Sequence, residues 1–175
     1  IAASRELGVR VFLADILWQA SWGEYQNGLL ERSRDHAEES LSLVDPSVWP
    51  ATAFQAHRNL ARTYAALGDL ERARAHERAM WPLARTESER VISLFSSAYL
   101  AAADGRPDEA ERQFRDALER TGRTDAQHLF GYVRWDWVRT EARVSLGDLL
   151  ASLGRTAEAR ELLMAARAFW EDPLG

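Results

Sequence analysis

The sequence predicts an all-α protein assembled from helical hairpins. Three observations predict it. Helix formers dominate: Ala, Leu, Arg and Glu. Apolar residues return at three- and four-residue steps, as at Leu60, Tyr64 and Leu67 and again at Leu146, Leu149, Leu150 and Leu153, which is the spacing of one helix face. A glycine followed by a polar turn and, five residues on, a small residue occurs four times: Gly28 with Ser33, Gly68 with Ala73, Gly105 with Ala110, Gly154 with Ala159. No stretch sustains the alternation of β-branched or aromatic with polar residues that a strand needs.

The punctuation divides the chain into pairs. A first helix runs from roughly Arg10 to Gln26 and stops at Asn27 and Gly28; its partner runs from about Leu29 to Val44, where "DPSVWP" ends it, because proline lacks a donor and restricts the residue before it. The second pair covers about Ala51 to Leu67 and Asp69 to Met80, with Asp69 as N-cap and Pro82 as the stop. The third covers about Glu87 to Ala103 and Pro107 to Arg120; proline at a first helical position costs no hydrogen bond. The fourth covers about Ala126 to Leu153 and Thr156 to Trp170. Its first helix exceeds one ordinary unit, and Gly131 is expected to divide it. Repeats at approximately 10–46, 51–84, 87–121 and 126–170 thus fill a single domain over 1–175.

The repeated glycine has a physical reason. It closes one helix by tolerating positive φ, and the polar residue after it caps the next. Small residues then stand in register on both sides of the turn. Seven before each glycine are Ser21, Ala61, Ala98 and Gly147; five after are Ser33, Ala73, Ala110 and Ala159. Large side chains there would push two close helices apart.

This register of small residues and turn glycines, with Tyr64 and the stretches "DEAERQFRDAL" and "AEARELLMAA", resembles the tetratricopeptide repeat family, a helix–turn–helix unit of about 34 residues. The glycines here lie 40, 37 and 49 residues apart. Units of that length resemble the helical sensor regions of MalT-like bacterial transcription activators and the repeats fused to bacterial signalling kinases and ATPases. The resemblance implies a right-handed superhelical solenoid of about four pairs, because one hairpin cannot bury its apolar faces alone. It also implies a groove lined by the first helix of each pair, at positions thirteen, ten, six and three before the turn glycine. These are Asp15, Trp18, Trp22 and Tyr25, then Gln55, Arg58, Arg62 and Ala65, then Ile92, Phe95, Tyr99 and Ala102, then Glu141, Val144, Asp148 and Ala151. Trp18, Trp22, Tyr25, Arg58, Arg62, Phe95 and Tyr99 are the expected partner-binding groove, since aromatic and arginine side chains are common binding anchors. Packing between helices competes with that role for the aromatics, and a solvated or ion-paired face competes with it for the arginines. The lysine–asparagine clamp of the family's chaperone-binding members is excluded: only Asn59 falls in register, and all 22 basic residues are arginine.

Composition limits the remaining functions. The chain has 175 residues and a net charge of −5, which argues against direct nucleic-acid binding and against a polybasic membrane patch. It has no cysteine, which excludes thiol nucleophiles and fits a reducing, cytoplasmic setting. No apolar run approaches a bilayer span. The first residue is Ile1, and a fragment of a larger protein is expected. His36, His57, His76 and His128 show no ligand spacing, and neither a phosphate loop nor a nucleophile elbow occurs. No catalytic residue, metal site or cofactor is expected, and Glu87 and Glu89 read as a solvated helix start. The segment "YVRWDWVR" puts Trp135 and Trp137 two residues apart, so they cannot share a helix face. The expected function is a non-catalytic protein- or peptide-binding repeat module of a bacterial signalling or regulatory protein. A small-molecule or signal-peptide sensing domain of a multidomain regulator or kinase is the alternative. Self-association through the terminal helices is a third reading.

Overall fold

A computed structural model describes the backbone of residues 2–123 and 135–171 and the side chains of residues 8–121 and 138–171. The described residues form eight α-helices and no strand: α1 (Ala2–Gln26), α2 (Leu30–Ser42), α3 (Pro50–Ala66), α4 (Leu70–Met80), α5 (Glu87–Ala103), α6 (Pro107–Arg123), α7 (Trp135–Ser152) and α8 (Thr156–Glu171), with a 3-10 turn at Trp81–Leu83. The first helix starts earlier than its expected Arg10, since Gly8 weakens a helix without ending it. Pro82 falls in the 3-10 turn that terminates α4. The expected break at Gly131 and the environment of Trp135 and Trp137 lie outside the described residues.

All four turn glycines are left-handed, at φ of 73°, 83°, 71° and 77° for Gly28, Gly68, Gly105 and Gly154. Each turn closes with the same two hydrogen bonds. At Gly68 its own N–H donates to Ala65 O at 3.1 Å and Asp69 N–H donates to Tyr64 O at 2.9 Å, the two-bond arrangement that satisfies the last helical carbonyls. The fifth residue after each glycine donates its N–H back to the first: Ser33 to Leu29, Ala73 to Asp69, Ala110 to Arg106, Ala159 to Arg155. The sequence repeat is therefore one backbone device used four times. A Cβ at Gly68 would meet no atom within 4 Å, so substitution there tests the backbone alone. Gly68→Val is expected to cost about 1–2 kcal/mol, read from the urea midpoint.

The helices cluster into two compact units, Ile1–Ser96 and Ser97–Gly175. In the first, α1 packs on α2 and α3, α2 on α3, and α3 on α4. Here the small columns carry hydroxyls. Ser21 Oγ lies 3.1 Å from Ser33 Oγ, which lies 2.9 Å from Thr63 Oγ1, so one buried chain of hydroxyls ties α1, α2 and α3. Ser40 Oγ donates to Ala14 O at 2.7 Å, and Asn59 Nδ2 donates to Trp18 O at 2.7 Å. Ala61, Ala73, Phe54 and Leu60 are fully buried. At the start of α5, Thr86 Oγ1 accepts from Glu89 N–H at 3.1 Å while Glu89 Oε2 accepts from Thr86 N–H at 2.8 Å. This reciprocal cap buries Glu89 to 4% exposure, which corrects its reading as a solvated residue.

In the second unit, α7 packs on α6 and α8 around Phe114, Ala142, Leu146 and Leu150. Outside that core, Arg155 bridges Glu111 and Glu158 at 2.6 and 2.7 Å, and Arg115 reaches Glu158 at 3.0 Å. The network pins α6 to the α7–α8 turn.

Candidate functional site

The first unit gathers five of the seven expected groove residues. Trp22 and Tyr25, one turn apart on α1, stack with centroids 6.2 Å apart and planes 18° apart. From α3, Arg58 and Arg62 lie four residues apart and so point the same way. The Arg58 guanidinium sits 4.4 Å from the Trp22 ring centre. That of Arg62 sits 4.9 Å from Trp22, 4.8 Å from Tyr25 and 5.3 Å from Phe95 of α5. Cations at these distances over ring faces gain roughly 0.5–2 kcal/mol each, more as they are desolvated.

Burial within the cluster is uneven. Arg58 and Arg62 retain only 8% and 3% exposure, and Phe95 has none, whereas Trp22 and Tyr25 are half-exposed. The arginines are therefore not a solvated face. They are planar cations sandwiched behind aromatic rings, a role lysine cannot fill equally, and Phe95 supplies a wall rather than a contact surface. The outward surface of the cluster belongs to Trp22 and Tyr25.

Trp18 is held by a different set of contacts. The Trp18 indole N–H donates to Asp15 Oδ1 at 3.1 Å, and the same oxygen accepts from Thr52 Oγ1 at 2.8 Å. That ties Trp18 into the α1–α3 framework. Tyr99, half-exposed, belongs to the second unit. The remaining groove positions divide sharply: Gln55 and Ile92 are buried, Ala102, Glu141 and Val144 are half-buried, and Asp148 and Ala151 are exposed.

A second polar cluster joins α2, α3 and α4, and no ligand spacing in the sequence marks it. His57 of α3 and His76 of α4 approach to 2.9 Å between their Nδ1 atoms. The His76 ring stacks on Tyr64 at 5.6 Å and 5°. The Tyr64 hydroxyl donates to Glu38 of α2, and the Arg72 guanidinium covers its ring at 4.5 Å. A nearby cleft of about 510 Å³ includes Tyr64 and Arg72 but none of the Trp22 cluster. Among the described residues no group of three or more potential metal ligands occurs, and no helix is long and apolar enough to cross a membrane.

No protein-family model matches the chain, and no curated protein matches it.

Proposed function

We propose that the chain is a non-catalytic module that binds a peptide or protein segment, built as a tetratricopeptide-like right-handed solenoid. In this reading the first unit recognises an acidic segment through Trp22 and Tyr25, backed by Arg58 and Arg62. The observation that carries it is the pair of guanidiniums at 4.4–5.3 Å from ring faces, two of which are half-exposed. The rings offer rigid apolar area at small entropic cost. The guanidiniums place permanent positive charge directly behind them, which favours carboxylates near the outer ring edges over cations. The four identical turns support the repeat part of the reading, since each closes a hairpin with the same two hydrogen bonds. Half-exposure of Trp22 and Tyr25 favours an open recognition face over the enclosed pocket of a small-molecule sensor.

The test is a peptide array holding acidic, neutral and basic sequences of matched hydropathy. The wild type is expected to retain acidic peptides at least about tenfold more tightly than neutral ones, with binding weakened by salt. Trp22→Leu is expected to reduce that binding about tenfold or more, the size of a moderate hot spot. Equal binding of all three classes would remove the acidic assignment, and unchanged binding by Trp22→Leu would move the interface elsewhere.

A further inference from the structure

The histidine pair has no part in the proposed recognition face, and it does something chemically specific. A neutral imidazole carries one N–H and one lone pair. At 2.9 Å between Nδ1 atoms, one ring donates and the other accepts, and the space between them holds a single proton. The first added proton is accommodated on an outer Nε2. The second forces two N–H groups head to head, which the 2.9 Å separation does not admit.

We propose that His57 and His76 form a proton-sensitive latch between α3 and α4, closed while the two rings share one proton and opened when both Nδ1 atoms are protonated.

Groups from α2, α3 and α4 set the pair's environment. From α2, Glu38 favours protonation of His76; from α4, Arg72 opposes it. From α3, Tyr64 stacks on the His76 ring and donates its hydroxyl to Glu38. Burial lowers the His57 pKa to about 4, with the neighbouring His76 adding to the effect. Burial is also the main cause that lowers His76. Both are bases with folded values below the unfolded one of about 6.5. The unfolded or opened chain therefore binds more protons between about pH 6.5 and 4. The latch is fully effective above about pH 6.5 and is lost as pH falls toward 4.

The experiment follows the ring resonances of all histidines and amide exchange in α4, from pH 7.5 to 4, with exchange rates corrected for intrinsic pH dependence. In the wild type, α4 protection is expected to fall at least tenfold between pH 6.5 and 4, together with titration of His57 and His76. His57→Asn sets its amide nitrogen at the Nδ1 position, so it can donate to His76 but cannot take up a proton, and its α4 protection is expected to vary less than threefold over that range. His76→Asn provides the same comparison if His57→Asn folds poorly. His36→Gln serves as control, since His36 contacts Glu24 at 2.8 Å in the α1–α2 pair, and it should retain the full loss. Independent titration of both histidines near 6.5 without change in α4 protection would overturn the latch. So would an undiminished acid response in both the His57→Asn and His76→Asn variants.

Discussion

Arg62→Glu is expected to destabilise the first unit by about 3–5 kcal/mol at neutral pH, the scale of an uncompensated buried charge. The native guanidinium is 3% exposed and lies against three ring faces. Those faces carry partial negative charge, so a carboxylate in the same place exchanges attraction for repulsion and loses its water. Arg62→Met separates fold from recognition. It keeps much of the volume and removes the charge without burying a new one, so stability is expected to fall much less than in Arg62→Glu while acidic-peptide binding is lost. Urea denaturation monitored by tryptophan emission measures the first effect and the peptide array the second.

Gly147→Leu is expected to cost the second unit roughly 3 kcal/mol, at the upper end of ordinary overpacking. A Cβ at Gly147 would already stand 2.9 Å from Leu163 Cγ, 3.0 Å from its Cδ2 and 3.4 Å from the Ala159 carbonyl oxygen. The first atom met lies at the base of the Leu163 side chain, so rotation of its tip gives little relief. Gly147→Ala gains up to about 1 kcal/mol of helix propensity against the same contact, and its net effect should be much smaller. Chemical denaturation of the two variants reads the difference. Equal stabilities would mean that the α7–α8 crossing opens at no cost.

This crossing shows why so much of the hairpin geometry was legible. At two of the four turns the residues seven before and five after the glycine meet where the helices cross. Gly147 lies against Ala159, and Ser21 hydrogen-bonds Ser33. Small residues are needed there, and that need is local and periodic. The same antiparallel register reaches further: eleven before Gly68 is His57 and eight after it is His76. Their contact was thus readable from the spacing, but histidines without a ligand motif gave no reason to extend the register that far.

The residues of the candidate cluster were legible in composition, but their burial was not. Trp22, Tyr25, Arg58, Arg62 and Phe95 each fell on an expected groove position, and they do converge. What the pattern did not contain was depth. Whether an arginine four residues from another is solvated or pressed under an indole depends on how closely α1 approaches α3. Ser21, Ser33 and Asn59 hold those helices together through hydrogen bonds whose partners lie 12 and 41 residues away in sequence. Glu89 has a simpler signal: Thr86-x-x-Glu89 is a capping-box pattern, and the cap buries a carboxylate that charge alone places in solvent.

The most direct measurement of the proposed recognition face is an NMR titration with the tightest acidic peptide, following the indole N–H resonances of the seven tryptophans. The largest shift is expected at Trp22, with Tyr25 ring signals moving in parallel and both responses reduced in Arg62→Met. A largest shift at Trp49, Trp81 or Trp170 with Trp22 unmoved would contradict the assignment and place the bound segment on a different surface.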